Sequence, residues 1–258
     1  MLLKDKVAVV SGIGPGLGRS VALALAREGA KVVLAARQGA ELDKVASEVR
    51  ALGGVALAVP TDITCKEDCV RLVERTTEEF LRLDVLVNNA FQGGVEPPFE
   101  EVDLALWRQI FEVNVFGSLQ LTQLAVPFMK PTGGSIVFVN SMSTRIIEPC
   151  MGGYAASKGA LLIAAQTLAK ELGPYRIRVN SVVPGYIWNK KLRRYFEYLA
   201  KQQGRSFEEV FCDIQGRTAL LHIPTPEEIA DTVLFLASDL SRAVTGQALD
   251  VNGGHYFH

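Results

Sequence analysis

The segment that most constrains this chain is Ser11-Gly12-Ile13-Gly14-Pro15-Gly16-Leu17-Gly18. It lies between the apolar run Val7-Ala8-Val9-Val10 and the helical pattern Val21-Ala22-Leu23-Ala24-Leu25-Ala26. A buried strand that turns through glycines into a helix leaves unpaired N–H groups at the helix start. The helix dipole adds positive potential there, so the segment suits a phosphate. The spacing does not fit G-x-G-x-x-G. Starting from Gly12 and Gly14 the third glycine would have to stand at Leu17, and starting from Gly14 and Gly16 at Arg19. It does fit G-x-x-x-G-x-G, through Gly12, Gly16 and Gly18. By itself the loop names a ligand class and no reaction. Nucleotide sugars, flavins and methyl donors use similar turns, and a glycine-rich turn need hold no ligand.

After this turn the chain alternates strand and helix to its end. Strand patterns fall at 7–10, 31–35, 55–59, 85–87, 135–139, 178–183 and 248–251. Helical patterns run to Arg27, over 40–52, from about 66, over 103–129, through 152–172 and from Thr225-Pro226-Glu227-Glu228. Gly29 and Gly53-Gly54 stop the first two helices. This alternation predicts α/β architecture: a single Rossmann-type domain over 1–258, with a doubly wound parallel sheet of about seven strands and helices on both faces. Residues 91–100 read as a glycine- and proline-rich loop. Residues 186–217 break the alternation with helical, aromatic and charged sequence. They read as an insertion that covers a site, makes a dimer contact or simply packs.

Composition excludes several function classes. The net charge of −1 leaves no electrostatic case for nucleic acid or an anionic membrane. No run approaches the ~18 apolar residues of a membrane span. The start, Met1-Leu2-Leu3-Lys4-Asp5-Lys6, reaches charge too soon for a signal peptide, so a cytoplasmic protein is expected. Cys65, Cys69, Cys150 and Cys212 form no Cys-x-x-Cys pair and have no histidine spaced to complete a metal site. They read as reduced structural thiols, with no metal.

Several residues stand where the ligands of an open α/β sheet bind, at strand carboxyl ends. After the second strand, Ala36 lacks the carboxylate that would hold ribose hydroxyls. Arg37 offers a forked donor for a 2′-phosphate, unless it is one more surface arginine. Asp62 could accept from an adenine amino group or cap the following helix. Asn88 and Asn89 could satisfy backbone groups, touch a cofactor, or both. Asn114 interrupts an apolar helical face, which suggests a hydrogen-bonding duty. Ser141 ends a strand, and Tyr154 and Lys158 lie one turn apart on the next helix. A lysine ammonium so placed would pull the phenol below its usual ~10 and make it a usable acid or base. The serine hydroxyl could hold a carbonyl or alkoxide oxygen.

Together the glycine loop, Asn88-Asn89-Ala90, Asn114, Ser141, Tyr154-x-x-x-Lys158 and Pro184-Gly185 resemble the short-chain dehydrogenase/reductase family. The resemblance covers essentially the whole chain. It implies an NAD(P)-dependent oxidoreductase acting on a small-molecule secondary alcohol or ketone, working as a homotetramer or homodimer. It implies Tyr154 as proton donor or acceptor and Ser141 as holder of the substrate oxygen. Lys158 would bind the nicotinamide ribose while lowering the Tyr154 pKa, and Asn114 would hold a relay water. Cofactor contacts are expected at Gly12, Gly14, Gly16, Leu17, Gly18, Arg37, Asp62, Ile63, Asn89, Ala90, Tyr154, Lys158, Pro184, Gly185, Ile187 and Asn189. Substrate contacts are expected at Ser141, Met142, Tyr154, Tyr186 and Trp188. The aromatics of 186–217 suggest an apolar, cyclic substrate.

Four positions depart from the family pattern. Phe91 replaces a glycine, Ser11 a threonine, Pro15 a frequent basic residue of NADP-preferring members, and Asn189 a threonine. Arg37 favours NADP, with NAD possible. The rival expectations are a non-catalytic, cofactor-sensing Rossmann protein, which predicts loss of one of Asn114, Ser141, Tyr154 and Lys158, and a methyltransferase or nucleotide-sugar enzyme sharing the loop.

Overall fold

Burial along the strands decides the layering. Successive side chains of a strand point to opposite faces, so a strand apolar at every position needs cover on both sides. In the computed structural model, which describes residues 1–257, Val7–Ser11 is buried throughout. Ala8 and Val10 pack into one core with Val32, Leu34, Val87 and Val137. Val7 and Val9 pack into a second core with Val33, Leu86, Ile136 and Phe138.

The strands are β1 (Val7–Ser11), β2 (Lys31–Ala36), β3 (Val55–Pro60), β4 (Val85–Asn88), β5 (Gly134–Val139), β6 (Ile177–Pro184) and β7 (Ala248–Val251). They form one parallel sheet of seven strands, as expected, and its order is β3-β2-β1-β4-β5-β6-β7. The helices are α1 (Leu17–Arg27), α2 (Gly39–Ala51), α3 (Lys66–Phe80), α4 (Leu104–Phe111), α5 (Ser118–Met129), α6 (Gly152–Leu172), α7 (Lys190–Gln203), α8 (Phe207–Gly216) and α9 (Pro226–Ala237). Side chains of α1, α2 and α9 fill the first core, and those of α3, α5 and α6 fill the second. Among the described residues no helix is long and apolar enough to cross a membrane.

Two features position the site. Strand order reverses between β1 and β4, and ligands of open sheets bind in the crevice outside such a switch point. Register places Ser11 opposite Asn88, Asn88 opposite Phe138, and Phe138 opposite Ser181. The residues that follow β1, β4, β5 and β6 therefore emerge together at the carboxyl edge.

The helix expected over 103–129 runs unbroken from Leu104 to Met129, but its middle turn is wider than an ordinary α turn. A wide π turn, Glu112–Gly117, separates α4 from α5 and carries Asn114. Hydrophobic periodicity does not separate this wider turn from an ordinary helix, whereas an extra residue in a turn re-aims its side chains.

Candidate active site

A groove of about 540 Å³ crosses the carboxyl edge. It is lined by Gly12, Ile13, Gly14, Pro15, Ala36, Arg37, Gln38, Glu41, Thr61, Asp62, Ile63, Asn89, Ala90, Phe91, Gln92 and Val113. The glycines divide by role. Gly12 has φ +76°, and a Cβ there would lie 2.5 Å from the Ala90 backbone. A Cβ on Gly18 would collide with the Gly12 carbonyl. These two allow the loop to pack against β4. Gly14 and Gly16 face open space, and a side chain at Gly14 would enter the groove. Gly16 and Leu17 begin α1, whose first turn holds no acidic residue, so its free N–H groups can accept an anion. A dinucleotide fits this lining.

The adenosine end offers two opposed signals. Arg37 is exposed and has no ion pair among the described residues, which suits a 2′-phosphate. Glu41, on the first turn of α2, presents a buried carboxylate oxygen, Oε1, with no partner. That oxygen suits a ribose hydroxyl. Sequence reading missed Glu41, which lies one helical turn beyond Arg37.

Neighbouring residues hold the groove rather than fill it. The Asn89 amide donates to the carbonyls of Ser11 (3.2 Å) and Gly12 (2.8 Å), so it anchors the glycine loop. The Ser11 hydroxyl accepts from the Asn89 N–H at 3.3 Å. Asp62 does not cap α3, whose N-cap is Cys65. Its Oδ1 accepts from the backbone and hydroxyl of Thr64. Ile63 lies mostly in the core, and its carbonyl accepts from Gln120 at 3.1 Å.

The chemistry-bearing residues converge beside this groove. Asn114 is fully buried. Its Oδ1 accepts from the Gln92 N–H (2.7 Å), and its Nδ2 donates to the Gln92 carbonyl (2.9 Å) and to Ser157 Oγ (2.9 Å). Ser157 Oγ donates to the Tyr154 carbonyl at 2.7 Å. The side chain of Asn114 thus ties the 91–98 loop to α6. Ser141 Oγ accepts from the Ser143 N–H at 3.2 Å and hydrogen-bonds the Tyr154 phenol. Lys158 is 3% exposed, and its ammonium donates to the Val139 carbonyl at 2.8 Å.

The electrostatics correct one expectation. Burial pushes the Tyr154 phenol above its ordinary value, and the Ser141 hydrogen bond only partly opposes this. Burial pulls Lys158 down to about 7. Desolvation disfavours the charged form of both groups, so among protein groups alone Lys158 does not lower Tyr154. The pair instead holds a neutral phenol beside an amine that titrates near neutrality.

The segment after β6 brings further corrections. Asn189 caps α7, its Oδ1 accepting from Lys191 and Leu192 N–H groups at 2.9 Å. That oxygen is committed to the helix and not free for a cofactor amide. Trp188 packs on Phe196 and Phe211 at 6.2 and 5.0 Å, and Tyr186 on Phe196 and His255 at 5.6 and 6.0 Å. Tyr186, Trp188, Phe196 and Phe211 belong to a small third core with Ile214 and Ile223, so they carry little information about a substrate. A Cβ on Gly185 would meet Asn252 at 2.8 Å and Met142 Sδ at 3.4 Å. Pro184-Gly185 therefore fits closely against the C-terminal segment.

Phe91 is 55% exposed and stands edge-on to Tyr154, ring centroids 6.4 Å apart. Lys158 and Lys191 place their ammonium groups 6.0 and 5.9 Å from its ring centre. Also unforeseen was Glu96. Its Oε2 and Oε1 accept from the N–H groups of Gly153 and Tyr154, each at 3.0 Å. Nothing in local spacing pairs it with α6.

A family model described as enoyl-(acyl carrier protein) reductase matches residues 12–256. An uncharacterized oxidoreductase of Methylorubrum extorquens is 39% identical over 254 residues, covering 98% of each chain. The crystal structure of an NAD+-bound xylitol dehydrogenase superposes with a TM-score of 0.91 at 30% identity, covering 98% of this chain and 100% of that one. A 7α-hydroxysteroid dehydrogenase complexed with NADH and 7-oxo glycochenodeoxycholic acid gives a TM-score of 0.88 at 33% identity, covering 98% and 94%.

Proposed function

The chain belongs to the short-chain dehydrogenase/reductase family of nicotinamide-dependent oxidoreductases, and on that premise we propose that it interconverts a secondary alcohol and a ketone, preferring NADP. The observation that carries this reading is the pairing of Tyr154 with a fully desolvated Lys158, one turn apart at the start of α6 and beside the groove. A bound nicotinamide supplies or takes the hydride. The protein supplies the proton. Ser141 holds the substrate oxygen, and Tyr154 gives that oxygen a proton in reduction or removes one in oxidation. Lys158 would hold the nicotinamide ribose, its ammonium already placed by the Val139 carbonyl. Asn114 keeps the 91–98 loop and α6 in register and would hold a relay water. The glycine loop, from Gly12 to Gly18, takes the diphosphate. Ala90, Pro184, Gly185 and Ile187 border the nicotinamide end.

Arg37 is the support for NADP. Glu41, Pro15 and the two NAD-bound relatives weigh the other way, so NAD is accepted more weakly. The substrate meets Met142, Ser141 and Tyr154 under the 186–217 cover, all within one catalytic domain. The steroid in the 7α-hydroxysteroid dehydrogenase complex supports an apolar, cyclic skeleton. Exposed Phe116, Phe128 and Ile163 support self-association as a homotetramer or homodimer.

Fluorescence titration with NADPH and NADH, and kcat/KM with each over a panel of alcohols and ketones, tests the reading. Arg37→Asp should shift the NADPH/NADH ratio of kcat/KM toward NADH by roughly 10–100-fold, the worth of a charge-assisted phosphate contact. An unchanged ratio removes Arg37 from phosphate recognition, and binding of neither cofactor removes the function.

A further inference from the structure

Helix α6 carries both Tyr154 and Lys158, yet its own sequence begins it poorly. The N-cap is Met151, which has no side-chain acceptor, and the first two helical residues are Gly152 and Gly153. Both glycines are pressed against the Trp107 ring, where added Cβ atoms would lie 2.6 and 2.8 Å from it. The missing cap comes from 57 residues upstream. Glu96 accepts the Gly153 N–H on one carboxylate oxygen and the Tyr154 N–H on the other. Its own N–H donates to the Cys150 carbonyl at 2.7 Å.

Glu96 is 5% exposed and has no ion pair among the described residues. A carboxylate so buried is costly unless its oxygens are hydrogen-bonded, and here the donors are the orphan N–H groups and positive dipole of α6. Tyr154 is consequently held at both backbone atoms, its N–H by Glu96 and its carbonyl by Ser157 Oγ. The same loop also fixes the ring. Gln92 is clamped by Asn114, Glu96 by α6, and between them Gly93 lies so close to the Tyr154 ring that a Cβ would collide with Cδ2.

We propose that Glu96 is a positioning residue for the hydride-transfer chemistry: by capping α6 from the 91–98 loop it sets where the Tyr154 phenol stands. This rests on Tyr154 being the proton donor or acceptor. Misplacing a reacting group by about 1 Å can cost ~100-fold in rate, whereas a helix cap that only stabilises the fold leaves kcat alone.

The test compares Glu96→Gln, Glu96→Ala, Gly93→Ala, Tyr154→Phe and Asp84→Asn with the wild type. Asp84 is also a buried carboxylate, but it lies at the opposite edge of the sheet. Glu96→Gln keeps one acceptor and turns an NH2 toward the other N–H. It should lower kcat about tenfold, and Glu96→Ala about 30–100-fold, with the cofactor Kd unchanged within about twofold. Asp84→Asn should lower Tm at full kcat. Gly93→Ala, which leaves the cap intact, should lower kcat through the ring contact and serves if Glu96 variants do not fold. Wild-type kcat in Glu96→Gln or in Gly93→Ala, with Tyr154→Phe inactive, overturns this inference alone. So does an equal loss of kcat in Asp84→Asn. Turnover retained by Tyr154→Phe overturns the proposed function and this inference with it.

Discussion

At the amino edge of the sheet, the buried Asp84 carboxylate accepts from the Val7 N–H at 2.9 Å and from Arg82 at 2.6 and 2.8 Å, with Lys6 at 3.5 Å. Arg178, close by, donates to the carbonyls of Leu236 and Ser238 and to Ser241 Oγ. At the carboxyl edge, Lys158 is as deeply buried and finds one carbonyl, while Glu96 finds two N–H groups and no cation. Asn88 Oδ1, Asn140 Oδ1 and Glu41 Oε1 are buried there without partners. Buried polar groups ordinarily find partners, because leaving one unmet costs free energy. One edge is thus electrostatically closed and serves stability. The other is left open, and that is the state expected of groups that will meet a ligand.

Substitutions at the two edges should therefore separate stability from turnover. Of two substitutions that contrast the edges, the larger effect belongs to Lys158→Met, which should lower kcat by ~100-fold or more by removing the ribose contact and the charge near Tyr154. Its effect on stability should depend on pH with a defined sign. The folded pKa of about 7 lies below the ordinary lysine value of 10.5, so the unfolded chain binds the proton more tightly. The wild-type penalty is fully present below pH 7 and fades as pH rises toward 10.5. Unfolding measured from pH 6 to 10 should show wild-type stability rising relative to Lys158→Met across that window. A constant difference would mean that Lys158 is not desolvated as described.

A smaller effect, of the opposite kind, is expected at the closed edge. Asp84→Asn should cost roughly 2 kcal/mol, below the usual cost of breaking a buried pair because Arg82 and Lys6 remain partly solvated. At this chain length that is about 4–8 °C in Tm. Calorimetry and steady-state kinetics on one preparation check it. A loss of kcat in that variant would erase the distinction between the edges.

The layout of the fold was legible because a sheet covered on both faces writes continuous apolar runs, such as Val7 to Val10, separated by glycine stops. Tyr154 and Lys158 were legible because four residues make one helical turn. Asn114 was legible as a polar residue in an apolar stretch. The π turn around it was not, since its neighbours keep the apolar pattern of a helix. The aromatics at 186–211 suggested a pocket, but rings at helical spacing satisfy one another first, as Trp188, Phe196 and Phe211 do. The family resemblance puts Asn189 with the cofactor, yet its Oδ1 caps the helix it precedes. Glu96 was invisible: its partners are 57 and 58 residues away, and only the fold brings them together.

The most direct test of the central claim, that the open edge carries out proton and hydride exchange, is Tyr154→Phe assayed for kcat and cofactor Kd in the same preparation. The substitution removes one hydroxyl and little else. Turnover should fall by ~1000-fold, within the range for loss of a general acid or base, with the cofactor Kd changed by less than about threefold. Turnover within a few-fold of wild type would contradict the account.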